Sequence, residues 1–199
     1  MTVSVADRAL TGGFALLERA MGYTLGGLVL VRPEDMAART PCAAWDLRTL
    51  LVHMNHSLLT LHQAVAAGHL DLAAASNPEA DYGDPTVDPV ASLRNRACRL
   101  IGAWAASDGP VEIAIADRRL AAGFVAATGA VEVAVHGWDV ARACGEDRQL
   151  PPALAEELHE LCRLLVDDGD RPHRFGPEVD MPPTAAAGDR LLALLGRTP

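Results

Sequence analysis

The sequence contains no lysine; all 17 of its Lys and Arg residues are arginines. Aromatic residues make up only 4% of the chain, so leucine, alanine and valine must fill its core. That composition suits close helix–helix contact better than a thick β-sandwich. The net charge of −9 comes without any basic run, which excludes the electrostatic footprint of a nucleic-acid or anionic-membrane binder. An anionic substrate would need a local arginine pocket. Cys42, Cys98, Cys144 and Cys162 show neither C-x-x-C spacing nor the pattern of a disulfide framework. No basic segment followed by an apolar core and a small-residue cleavage site opens the chain, and apolar runs break well before bilayer-spanning length. A reduced, cytoplasmic, soluble protein is expected. The missing lysine and the abundant Ala, Leu, Gly and Pro read as the coding bias of a GC-rich genome.

What is present is helical periodicity. With 199 residues, half of them apolar, the chain fits a single domain over residues 1–199 with a substantial core. Leu10, Phe14, Leu17, Met21, Leu25 and Leu28, spaced by three and four, predict a first helix from Ser4 to Val31, stopped by Arg32–Pro33. Asp46 is an N-cap for a second helix running to Ala67, with Trp45 placed to staple onto Leu50 and Gly68 as C-cap. A loop is expected over His69–Asp88, then a third helix from Pro89 to Ala106. A short β excursion falls near 111–120, a fourth helix over Ala121–Cys144, and another from Leu150 to Asp167. After a loop over Gly169–Pro183, Asp189–Gly196 reads as a short terminal helix. The class predicted is all-α, a helical bundle.

Two of these helices carry unusual polar stripes. On the fourth, Thr128, Glu132, His136 and Asp139 recur at spacings of four, four and three in an otherwise apolar segment. On the second, Thr49, His53, His56, Thr60 and Gln63 do the same. Glu132 and His136 are one turn apart on one face, close enough to converge on one metal ion. With His53 they make a His/Glu/His set that leaves the fourth position of a tetrahedral zinc open, as catalytic sites do. The alternative is that each stripe is a solvated amphipathic face. Against it, the helix faces expected to be exposed elsewhere are written with charged residues, as at Arg94–Asn95–Arg96 and Glu156–Glu157.

The phrases Thr40–Pro41–Cys42–Ala43–Ala44–Trp45–Asp46 through His53, and Glu132–Val133–Ala134–Val135–His136–Gly137–Trp138–Asp139 through Gly145, resemble the DinB-like helical family. They are most similar to its actinobacterial branch typified by the metal-binding domain of mycothiol-dependent maleylpyruvate isomerase. Arg174–Phe175–Gly176–Pro177 and Asp189–Arg190 through Arg197 resemble the short stand-alone members of that branch. The resemblance implies an up-and-down four-helix bundle holding a divalent metal, usually zinc, on His53, Glu132 and His136, with mycothiol or a similar thiol as cosubstrate. The family's isomerase has an additional C-terminal domain contributing to substrate recognition, which this sequence does not contain, so maleylpyruvate isomerisation itself is not expected.

His56 and Asp139 are the candidate catalytic residues: His56 as proton shuttle, fourth ligand or a polar residue lining the cavity, and Asp139 as an acceptor for a ligand imidazole. Asn55 is expected against a neighbouring helix or solvent, and Trp45 and Trp138 as packing residues. His62, His69, His159 and His173 are expected at the surface. The long loop over 69–88 and the Arg171–Arg174 region are candidates for the mouth of the pocket. Three functions fit: a metal-dependent thiol transferase or isomerase acting on a small electrophile; a thiol-independent hydrolase, lyase or cyclase on the same metal; or a non-catalytic binding bundle. Partners are a small molecule, with no nucleic acid or membrane and a homodimer left open.

Overall fold

A computed structural model describes residues 12–42, 45–70, 84, 86–106, 112–115, 117–167, 169, 171 and 174–199. Among these, α1 spans Gly13–Gly27, α2 Leu47–Ala67, α3 Pro89–Ala106, α4 Ala122–Ala143, α5 Pro152–Leu165 and α6 Ala187–Leu194. Short 3-10 turns cover Leu28–Leu30 and Pro33–Ala37. The chain is thus an all-α bundle with a short β excursion, as the periodicity predicts. The predicted helix start at Ser4, most of the 69–88 loop, Val111 and His173 lie outside the described residues. No helix among the described residues is long and apolar enough to cross a membrane.

Each long helix forms for reasons visible in its ends and its apolar face. Asp46 caps α2, its carboxylate accepting from the Thr49 amide at 2.8 Å, and Gly68 closes that helix at φ +68°. Leu47, Leu50, Leu51, Met54, Leu58, Leu61 and Val65 make the buried face. Removing one of the fully buried leucines, such as Leu50, costs about 2–5 kcal/mol by the usual cavity rule. Asp88 caps α3 through the Ala91 amide at 2.9 Å. Asn55, fully buried, donates to the Leu51 carbonyl and across to Pro89 O at 2.8 Å, tying α2 to the start of α3.

The principal packed pairs are α1 with α4, α2 with α3, α5 with α6, and α4 with α2. Helices consecutive in sequence are therefore not always partners, and α4 stands between α1 and α2. Its small residues permit this. Thr24 on α1 donates to Val133 O of α4 at 2.8 Å, and a methyl group at Gly137 would overlap the Thr24 side chain.

Two strands form the expected β excursion, and a third opens the expected loop. β1 (His69–Leu70) pairs in parallel with β2 (Glu112–Ile115), which pairs antiparallel with β3 (Arg118–Ala121). The predicted loop therefore begins with a two-residue strand, because the chain leaving Gly68 meets an unpaired edge of the β2–β3 hairpin. α5 packs against α6, and a bidentate Arg19–Glu157 pair, at 3.1 and 2.8 Å, joins α1 to α5.

Candidate metal centre

His53 on α2 and Glu132 and His136 on α4 come together where these two helices pack. Their donor atoms all lie within 4.8 Å of one another. His53 Nε2 is 3.1 Å from Glu132 Oε1, and the His53 and His136 rings meet edge to face at 5.3 Å between centroids. Trp45, at the entrance to α2, lies against the His53 ring at 4.5 Å and covers one side of the imidazole pair.

The polar stripe of α4 is not a solvated face. Thr128 is exposed and Glu132 half-buried, whereas His136 is 9% and Asp139 0% exposed. The stripe therefore runs from solvent into the protein. On α2 the residues stay nearer the surface: His53 is half-buried and His56 exposed. The structure places His56 one turn along from His53 but outside the convergent donor set. Burial, and then the charges of Arg96 and His53, lower the His56 pKa, so that its ring is neutral at neutral pH.

Glu132 is held as a carboxylate. Burial works against its ionisation, but hydrogen bonds from His53 and Ser57, with the nearby His136, bring its pKa down to about 2. His136 Nδ1 meets Asp139 Oδ2 at 2.9 Å. Nδ1 donating to Asp139 leaves the Nε2 lone pair for a ligand, the arrangement by which a carboxylate fixes the tautomer of a metal-binding histidine. Burial alone would raise the Asp139 pKa. The bond to His136 and the Arg197 guanidinium reverse this and hold it below the usual carboxylate range.

Two residues not anticipated by spacing complete the cluster. Arg197, 9% exposed, reaches back from the C-terminal turn to put Nη2 2.9 Å from Asp139 Oδ2 and 3.2 Å from Cys42 Sγ. Cys42 Sγ is 3.4 Å from Asp139 Oδ2 and 3.8 Å from His136 Nδ1. Thr40 sits beside Cys42: its hydroxyl, with one proton to give, lies 3.0 and 2.9 Å from the Cys42 and Trp45 carbonyl oxygens. Burial and then the Asp139 charge push the Cys42 thiol up to about 12, against the opposing pull of Arg197. The free thiol is therefore protonated and a poor nucleophile.

Other histidines follow expectation in part. His69 is exposed, but His159 is 8% exposed, a correction to its predicted surface position. It lies on the inner face of α5 with the buried Leu154, Ala155 and Leu158, where α6 packs.

The donor chemistry fits a divalent cation. Two imidazoles and one ionised carboxylate converge from two helices, with a buried acceptor fixing one ring and a hydroxyl fixing the carboxylate. Residues 17–141 match the family described as mycothiol maleylpyruvate isomerase N-terminal domain. The chain belongs to this DinB-like family. The match takes in His53, Glu132, His136 and Asp139, while Arg197 falls beyond it. Similar proteins include the uncharacterized proteins MT0763 and Rv0738 from two strains of Mycobacterium tuberculosis. Each is 28% identical over 204 residues, covering 91% of this chain and 95% of the relative. No solved structure matches the chain.

Proposed function

We propose that this family member is a metal-dependent thiol transferase or isomerase that uses a low-molecular-weight thiol, such as mycothiol, on a small electrophilic molecule. The convergence of His53, Glu132 and His136 within 4.8 Å carries this reading, in a chain of a mycothiol-related family. These three residues would hold one divalent metal, zinc first among candidates. When bound, such a metal supplies the charge that keeps a thiol sulfur as thiolate near neutral pH.

The chain's own residues do the rest. Ser57 orients the Glu132 carboxylate, and Asp139 orients His136 through Nδ1. Asp139 thus acts through another residue, as a positioning group. His56, neutral at neutral pH, is the group able to take up the thiol proton. Trp45 shields the imidazoles from water on one side. The same reading puts the protein in the cytoplasm, where such thiols are kept reduced, acting on small molecules rather than nucleic acid or membrane.

The test is consumption of mycothiol with a small α,β-unsaturated or haloalkyl electrophile, before and after exhaustive chelation, in wild type and His53→Ala. Thiol consumption lost on chelation and in the variant supports the reading. Turnover that needs no thiol would instead indicate a hydrolase, lyase or cyclase, and full activity after chelation would sink the metal role.

A further inference from the structure

Two donor groups at this end of the bundle share one ring. His53 and Glu132 form a set with His136, and so do Cys42 and Asp139. A neutral imidazole has a single lone pair. It ligates through Nε2 when Nδ1 carries the proton, or through Nδ1 when Nε2 does, but not through both. Which set a metal uses is therefore a choice of tautomer, and something has to make that choice.

The second set already contains a cation. Arg197 Nη2 sits 2.9 Å from Asp139 Oδ2 and 3.2 Å from Cys42 Sγ, and Nε is 3.4 Å from Asp139 Oδ1. This placement is built into the fold. Arg197 Nη1 donates to Leu195 O at 2.9 Å, and its own amide donates to Leu192 O at 2.9 Å. Gly196, at φ +77°, turns the chain against Gly176 so closely that a side chain there would overlap the Gly176 backbone. Arg171 fastens both sides of this turn, through Gly176 O and, at 2.7 Å, Leu194 O.

We propose that Arg197 is a resident cation that occupies the Cys42/Asp139 group, commits His136 to ligate through Nε2, and keeps metal away from the Cys42 thiol. It is a positioning residue for the metal centre, and the inference rests on the metal reading above. The guanidinium is permanently charged and presents a fork of donors, so it satisfies Asp139 without competing for a lone pair. Without it, a divalent metal would find a carboxylate, an imidazole and a thiol at ligand spacing. On binding, the sulfur–hydrogen bond breaks, a sulfur–metal bond forms and the proton passes to the buffer. The His136 proton moves from Nδ1 to Nε2, so the ring stays neutral.

Cobalt(II) as a substitute for zinc reports this directly, because thiolate ligation adds a charge-transfer absorption that nitrogen and oxygen ligands do not. The wild type is expected to take up cobalt with no thiolate band. Arg197→Ala gains the band, and Arg197→Ala with Cys42→Ser loses it again. Arg197→Gln, which keeps hydrogen bonding but not charge, serves if the alanine variant does not fold by circular dichroism. A thiolate band in the wild type overturns the proposal, as does a folded arginine variant that binds cobalt without one. Wild type that takes up no cobalt at all removes the metal reading and this inference with it.

Discussion

Asp139 is the residue on which the centre turns, since it is fully buried and bonded to both His136 and Arg197. Asp139→Asn keeps the shape and an acceptor but removes the charge. Metal affinity, measured by competition with a chelator, is expected to fall about 10–100-fold, the usual effect of losing such a partner. Stability is expected to drop by about 3–5 kcal/mol, because Arg197 is left buried without its counter-charge. Unchanged affinity would contradict the orienting role. Tyr23 offers a pH-dependent counterpart away from the centre. Its buried hydroxyl donates to Arg148 O at 2.7 Å, and burial raises its pKa from 10.0 to about 12 despite the Arg148 guanidinium over the ring. Because the folded value lies above the unfolded one, this group's contribution is complete below pH about 10 and lost as pH rises toward about 12. An ultraviolet titration should show a tyrosine step at about 12 that is absent from Tyr23→Phe. The chain has two tyrosines, so the step that disappears in Tyr23→Phe is the one to read, and loss of a step near 10 instead would contradict the assignment. At this scale the sequence reveals what one helix displays by itself. Glu132 and His136 declare their common face by a spacing of four, whereas Cys42 and Arg197 are brought in by a loop and a terminal turn that no local period encodes.

The same division appears among elements. The helices α2 and α4 are legible because Asp46, Gly68 and a regular apolar face mark where α2 starts, runs and stops, and α4 is almost wholly apolar over its length. What local pattern does not convey is that α4 packs between α1 and α2, or that His69–Leu70 finds a strand partner in β2. The burial of His159 escapes sequence reasoning for a related reason: its neighbours come from beyond α5, from Glu178, Val179, Asp180 and Met181 and from Arg190 and Ala193 of α6. The approach of α1 to α4 depends on Gly137, which leaves room for Thr24 one residue from the candidate ligand His136. Gly137→Ala should push the helices apart and cost about 1–3 kcal/mol, the range for overpacking a tight contact. Chemical denaturation would measure the loss. A variant as stable as wild type would show that this contact yields more easily than its geometry indicates.

For the whole molecule, one metal ion on the proposed site would link helices that are distant in sequence, α2 through His53 and α4 through Glu132 and His136. Binding at such a site adds to folding stability by mass action, about 4 kcal/mol when free metal exceeds its dissociation constant a thousandfold. Zinc should therefore raise the melting temperature of the chelated protein, and this rise should vanish in His53→Ala. The family relationship supports the scaffold more firmly than any particular substrate, since one fold hosts many activities. The most direct test is the metal content of the purified chain by elemental mass spectrometry, beside His53→Ala and His136→Ala. About one zinc per chain in the wild type, lost from both folded variants, is the predicted result. A wild type that holds no metal and takes up none when zinc is added, or variants that keep it, would contradict the account.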